Sequence, residues 1–433
     1  MVAEPSTTIR FLLASRQCEL NSLRYLLQSG ELVGKISQLV HLLQRERGTA
    51  NLFLCSDGRL FADELVRREK DVQAAQTHLM AHLAGLEKMT AELPQASRLF
   101  SRVASVVYAL SLLPALRQQI RQRLLPQPQA MTFFNDIIRN LLALVFEVSD
   151  TAADPGISRA LIAMFSFMQG KELAGQERAI GAAAYAAAYA AGSVDEETRQ
   201  KLLDLIERQD RCFDTFLNFS DEENQQRWRA IAVDSEFERL RRIVCTRSPI
   251  EKLSEADSLH WFSIATKRID EMKQMEDELE QTLMQRCRTR IAAAEKACSD
   301  QRADLDALMV QQEHDDSGYS IFIAGHDVEG QNVPPGWLNS DGVTPLLGRS
   351  LLSLVQQQSR RLQAQDHELA ALRATLNERK QIDRAKGLLM QHRGLSEEDA
   401  YKTLRRMAMS QNKKLIDIAT AMLAVADVFG DNP

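Results

Sequence analysis

Residues that break helices are scarce in this chain and crowd into one place. The 19 glycines and 11 prolines make up about 7% of 433 residues, against roughly 12% in average usage. Gly318, Gly325, Gly330, Gly336, Gly342 and Gly348, with Pro334, Pro335 and Pro345, all fall inside 311–348. The rest of the chain therefore runs in long uninterrupted segments and is expected to be mostly helix, with 311–348 a linker or irregular insert. With 45% hydrophobic and 26% charged residues and a net charge of −6, the chain has enough apolar side chain for a sizeable core and is not a disordered polyampholyte.

Helix ends can be placed from capping chemistry. Ser193 with Glu196 and Ser220 with Glu223 have capping-box spacing, in which a hydroxyl and a carboxylate satisfy the orphan amides of a first turn. Ser248-Pro249-Ile250-Glu251 strings together a cap, an N1 proline and an N3 carboxylate. Long helices are predicted from near 194, 221 and 249, the last burying Trp261, Ile264, Ile269, Met272, Met275, Leu279 and Leu283. Helices of this length with short connections bury their stripes on one another, so 1–310 is expected to form two helical bundles. Within 311–348, Tyr319-Ser-Ile-Phe-Ile-Ala suits a lone strand or a surface strap, and Asp315-Asp316-Ser317-Gly318 and Pro334-Pro335-Gly336 are loop signals.

Helix is predicted to resume at Arg349, where Val355, Leu362, Leu369 and Leu376 recur every seven residues beside a half-polar companion column of Leu351, Gln358, Gln365, Leu372 and Arg379. That pattern leaves two readings open: a coiled coil between two copies of the chain, or one amphipathic helix lying on its own domain. Two short helices follow. The first starts after a cap at Ser396 with Asp399 and a Leu395–Ala400 staple, and buries Ala400, Leu404, Met407 and Ala408. The second buries Leu415, Ile418, Ala419, Met422 and Ala426 and stops near Gly430. The fold class is thus all-α, with a sensor-sized region 1–310, a linker 311–348 and a helical tail 349–433 whose core spans 372–430.

Several function classes are excluded. The longest apolar run, near Val103–Leu116, is broken by Ser105, Ser111 and Pro114, and no basic leader precedes an apolar segment at the N-terminus; a cytoplasmic protein with no membrane partner is expected. The six cysteines are scattered singly, which suits reduced thiols. His78 and His82 share a helix face without a third ligand, no Walker or Rossmann glycine pattern occurs, and no set of catalytic residues is visible, so neither an enzyme nor a bound metal or cofactor is expected.

Charge supplies the first functional signal. Between Arg379 and Lys414 ten basic residues stand against four acidic ones, a local charge of +6 in an acidic chain. Such an island on a small helical unit attracts a phosphate backbone through counterion release. The strings Arg384-Ala385-Lys386-Gly387-Leu388-Leu389-Met390, Leu404-Arg405-Arg406-Met-Ala408 and Lys414-Leu415-Ile-Asp417-Ile-Ala419 resemble the ANTAR family of RNA-binding antiterminator modules. The resemblance implies that the tail grips paired hairpins in a leader mRNA and blocks an overlapping terminator. RNA hairpins are recognised through backbone shape and splayed loop bases, which makes Lys386, Arg393, Arg405, Lys413 and Lys414 the first phosphate-contact candidates and Arg384 and Arg406 the second. Tyr401 and Phe429 are the only aromatics after 373, too few for extensive base stacking.

The second signal is a paired motif. Gln44-Arg45-Glu46-Arg47-Gly48 and Gln176-Glu177-Arg178-Ala179-Ile180-Gly181 each set Glu-Arg before a small-residue segment. Small residues let helices approach closely, and an arginine projecting into that space needs a partner. The residues alone favour a structural role, in which Glu46 and Glu177 pair with arginines of neighbouring helices. Together with Trp261 and Thr266-Lys-Arg268-Ile269-Asp270, however, the motifs resemble the NIT family, all-helical nitrate and nitrite sensors, over roughly 30–290. That resemblance implies nitrate or nitrite as effector ligand. A rigid guanidinium fork suits a planar anion better than lysine does, so Arg47 and Arg178 are the first candidates and Arg45 and Arg239 the next. The expected activity is anion-controlled capture of leader mRNA hairpins, by a monomer or homodimer. The alternative is a ligand-controlled helix-turn-helix regulator of duplex DNA, with Met409-Ser410-Gln411-Asn412 as its turn.

Overall fold

The structure, a computed structural model, describes residues 5–90, 96–150, 154–231, 235–246, 254–312, 319–323, 336–340, 345–395 and 397–429. Among them all regular structure is helical except one hairpin. The first bundle is built from α1 (Pro5–Cys55), α2 (Ala62–Thr90), α3 (Ala96–Ser111), the short α4 (Leu113–Arg121) and α5 (Gln127–Asp150). The second uses α6 (Pro155–Ala191), α7 (Glu196–Phe219), α8 (Glu222–Ala230), α9 (Ser235–Cys245) and α10 (Glu255–Gln312). Leu32, Ile36, Leu43, Val72, Phe134 and Leu141 fill the first core. Phe167, Phe213 and Phe216 pack with Met272 in one part of the second, and Tyr185, Phe237 and Trp261 in another. The long helices α1, α6 and α10 pack on one another and join the two bundles, which places the α1–α6 contact between the two cores.

Two helix starts differ from their sequence reading, and for the same reason. Asp195, not Ser193, caps α7 by accepting from the Thr198 amide at 2.8 Å, and Asp221, not Ser220, caps α8 by accepting from the Asn224 amide at 3.0 Å. A carboxylate gains from the helix dipole what a hydroxyl does not. Ser220 is moreover already used as the C-cap of α7, its amide donating to Phe216. The cap expected at Ser248-Pro249-Ile250-Glu251 and the one at Ser396 lie outside the described residues, as does Gly430. Gly394 follows the last residue of a helix, in the left-handed conformation (φ 61°) that glycine reaches without a Cβ clash.

Tyr319–Ile323 is a strand, β1, but not a lone one. It pairs antiparallel with β2 (Gly336–Ser340), in register from Tyr319 opposite Ser340 to Ile323 opposite Gly336. Gly336 therefore belongs to a strand and not to a loop, because a second strand satisfies the main-chain groups that a solitary one leaves open. Helix then resumes at Pro345, four residues before the expected Arg349, proline being well suited to a first helical position.

The chain divides into two compact units, Met1–Gln357 and Gln358–Pro433, with the division inside α11 (Pro345–Arg393). In the second unit α12 (Glu397–Ser410) and α13 (Leu415–Phe429) close on the end of α11 around Ala385, Leu389, Ala400, Leu404, Ala408, Ile418 and Ala419. The heptad column is split: Val355 and Leu362 are exposed, while Leu369 is buried. Ser97–Arg121 is 25 residues long and apolar enough to cross a membrane, contrary to the expectation that no run qualifies. The chain breaks helix within it at Leu112, and Leu99, Val106, Leu110, Leu113, Leu116 and Ile120 are buried in the first core.

Close helix approach in the second bundle depends on Gly181. A Cβ there would sit 2.4–2.7 Å from the indole of the fully buried Trp261. Gly181→Ala is expected to destabilise the protein by about 1–3 kcal/mol. Gly85→Ala, with nothing within 4 Å of the added methyl, should stabilise by about 1 kcal/mol. Urea unfolding of the two variants reads both.

Candidate functional site

Both Glu-Arg motifs face one another across the α1–α6 contact, and in each the glutamate takes an arginine from elsewhere. Glu46 accepts from Arg117 of α4 through both oxygens, at 2.7 and 2.8 Å. Glu177 accepts from Arg241 of α9 in the same forked way, at 2.6 and 2.8 Å, and from Gln209 at 2.6 Å. The structural role foreseen for the two glutamates is therefore real. Its effect is to leave the arginine of each motif for other work.

Arg47 is 1% exposed and turns to α6. Its Nη1 and Nη2 both donate to the Glu172 carboxylate, Nη2 at 3.2 Å, and Nη1 also reaches Asn135 at 2.5 Å. Arg178 is 2% exposed and turns to α1 and α10. It donates from Nη2 to the Gln44 carbonyl at 2.9 Å and from Nη1 to Thr266 at 3.0 Å, and its guanidinium lies 4.8 Å from the Phe262 ring centroid. Both Nε groups lack a hydrogen-bond acceptor. Glycines make the space reciprocally: a Cβ on Gly175 would stand 2.7 Å from Arg47 Nη2, and one on Gly48 2.6 Å from Arg178 Nη2.

Arg178 thus differs from the other charges buried here, because among the described residues no carboxylate lies within ion-pair distance of it. Burial pushes its guanidinium down to about 9, with Arg47 adding repulsion and Asp270 and Glu172 offering partial relief. The surrounding field is positive. His41 is pushed down to about 2 by burial and by Lys171, Lys273, Arg45 and Arg178, so it is neutral at physiological pH. Fully buried Lys171 pairs with Glu276 at 2.6 Å, and Lys273 with Asp277 at 2.7 Å. A dry, positive helix contact with spare guanidinium donors has the chemistry that suits a small anion.

Of the four arginines named from sequence, the structure brings Arg45, Arg47 and Arg178 together; Arg45 is half-buried and within the field of both His41 and Arg178. Arg239 is elsewhere. It is 58% exposed on α9 and gripped by Glu236 at 2.6 and 2.8 Å, while Arg241, two residues on, points inward. Helical geometry explains the swap, since i and i+2 lie on different faces. Glu172 and Asn135 were not singled out from sequence, and Thr266 and Gln44 entered only as members of the motifs and not as contacts of these arginines. Their link to the arginines spans 88 to 134 positions, which no local pattern encodes.

In the second unit Arg384, Arg393, Arg406, Lys413 and Lys414 are exposed. Arg405 is half-buried, and Lys386 is 14% exposed and paired with Asp383 at 2.6 Å. Lys413 and Lys414 stand in a tight turn between α12 and α13, formed by left-handed Asn412 (φ 49°) and a bond from the Lys413 amide to Ala408 at 3.0 Å. α13 itself carries no lysine or arginine.

Comparison with known proteins accounts for both regions. The family described as nitrate and nitrite sensing (NIT) matches residues 38–284, and the ANTAR domain family matches 370–423. The nitrate regulatory protein of Klebsiella oxytoca is 36% identical over 97% of this chain and 95% of its own length. The chain belongs to the NIT–ANTAR family of nitrate-responsive transcription antiterminators. A solved structure of the NasR transcription antiterminator superposes with a TM-score of 0.59 at 34% identity, covering 97% of this chain and 99% of that one. Within the NIT region fall Arg45, Arg47, Glu172 and Arg178, and within the ANTAR region every basic residue from Arg384 to Lys414.

Glu177 supplies a test of the pairing. Arg241→Ala leaves a carboxylate that is 1% exposed with Gln209 as its one remaining donor among the described residues, and should cost about 3–5 kcal/mol of stability. Replacing Arg239, whose pair with Glu236 is solvent-exposed, should leave stability close to that of the parent. Chemical denaturation of the two variants distinguishes them.

Proposed function

We propose that nitrate or nitrite binds at the α1–α6 contact, held chiefly by Arg178 and Arg47 with Arg45 at the rim, and that occupancy licenses the ANTAR module to bind paired hairpins in leader mRNA. The observation that carries the anion site is Arg178, a buried guanidinium with an unused Nε and, among the described residues, no carboxylate within ion-pair distance. An oxyanion accepting from it would relieve the burial penalty and tie α1, α6 and α10 together at one point. In this reading 1–310 is the sensor, 311–348 connects, and 349–433 holds the coiled-coil helix and effector. The protein works in the cytoplasm, without a membrane partner, cofactor or catalytic step, and its exposed heptad positions Val355 and Leu362 suit a homodimer.

The ligand acts only through its differential affinity for two arrangements of the chain. One withholds the basic residues of 379–414 from RNA, by covering them or by setting the wrong dimer geometry, and the other presents them. Arg384, Arg393, Arg406, Lys413 and Lys414, being exposed, are the leading phosphate contacts, with Arg405 and Lys386 acting at the edge of the packed helices. The duplex-DNA alternative loses support because α13, where a reading helix would lie, has no cationic side chain.

Arg47→Lys and Arg178→Lys keep a charge but lose the fork, so each should weaken nitrate binding in calorimetry with helicity intact. Unchanged affinity in both would remove the anion site from this contact. Leader-RNA gel shifts with full-length protein should show nitrate-dependent binding, and Lys413→Ala with Lys414→Ala should lower the salt slope by about two. RNA affinity independent of nitrate would break the proposed coupling.

A further inference from the structure

The carboxylate of Glu172 has the geometry of a ligand. One oxygen accepts from Arg47 Nη1 and from Gln176 at 2.8 Å, the other from Arg47 Nη2 at 3.2 Å and from Gln44 at 2.8 Å. It is a planar anion, 6% exposed, that fills both prongs of the fork that a planar oxyanion would use. It also faces Arg178 closely enough to stabilise that guanidinium. Two arginines and one carboxylate leave the buried cluster with a net charge of +1. The half-buried Arg45 and Asp270, both within the field of Arg178, oppose each other in sign.

We infer that Glu172 is an internal counter-anion: it competes with the ligand for the fork of Arg47 and, by holding the site at +1, selects monovalent oxyanions over divalent ones. The inference rests on the reading that Arg47 and Arg178 hold the anion. When a ligand takes donors from Arg47, Glu172 keeps Gln176 on its own helix and Gln44 on α1, so it has somewhere to remain. What it loses is a charged tie between α1 and α6, which makes ligand entry an exchange of one cross-helix link for another. A purely positioning role for Glu172 makes the opposite demand. A carboxylate that only orients Arg47 must, when removed, leave a looser fork and weaker binding.

Glu172→Gln in the full-length protein separates the two. Titrations with sodium nitrate and with sodium sulfate at matched ionic strength should show nitrate binding tightened on the order of tenfold, the scale of one like charge removed at close range. Sulfate, ineffective against the parent, should now compete. The proposal requires both changes, and the absence of either in a variant of unchanged helicity overturns it. Should Glu172→Gln not fold, Glu172→Asp keeps the charge but shortens its reach. It must then tighten nitrate binding by a smaller factor, and equal or weaker binding overturns the proposal. Arg178→Lys run alongside keeps the two readings apart. If that variant binds nitrate like the parent, the anion site itself is misplaced; if it loses nitrate while Glu172→Gln gains nothing, only the role of Glu172 falls.

Discussion

The structure depends on how charges are paired off where α1 meets α6. Arg117 takes Glu46, Arg241 takes Glu177, Glu276 takes Lys171 and Glu172 takes Arg47. Each pair spans two helices, so the set ties α4 to α1, α9 and α10 to α6, and α1 to α6. Buried ion pairs add little net stability compared with apolar packing, yet breaking one strands a charge in a dry interior. They therefore act less as glue than as registration marks. A sliding of α1 along α6 by one turn would mismatch the Arg47–Glu172 pair together with the Arg178–Gln44 and Asn51–Ala179 hydrogen bonds.

Glycine sets how near those helices come. Gly48 and Gly175 each leave room for the guanidinium that the other helix sends across, and Gly181 leaves room for Trp261. Trp261 in turn donates from Nε1 to the carbonyl of Arg178 at 3.0 Å, and Asn51 of α1 donates to that of Ala179 at 3.3 Å. The segment carrying the second motif is thus clasped by side chains from both α1 and α10. Arg178 is thereby linked to two helices from different parts of the sequence.

Helix content, the three-helix tail and the two Glu-Arg motifs were legible in the residues, because periodicity, caps and charge runs are local signals. The hairpin partner of β1 was not, since Gly336-Trp337-Leu338 has no alternation that marks it as a strand. Caps were misplaced by one or two residues where an aspartate stood beside a serine. In the site, arginine chemistry picked out Arg47 and Arg178, but two features stayed hidden. Helical phase decides that Arg241 and not Arg239 turns inward, and chain distance conceals Glu172, whose partner lies 125 positions away.

That no carboxylate among the described residues lies within ion-pair distance of Arg178 has a consequence for stability. Folding alone would favour an apolar residue of similar size there, since a buried cation without a direct ion pair works against the native state. A chain selected only for stability would discard it. Arg178 therefore holds the native state short of its optimum at one point, by an amount that any group accepting from its unused Nε would restore.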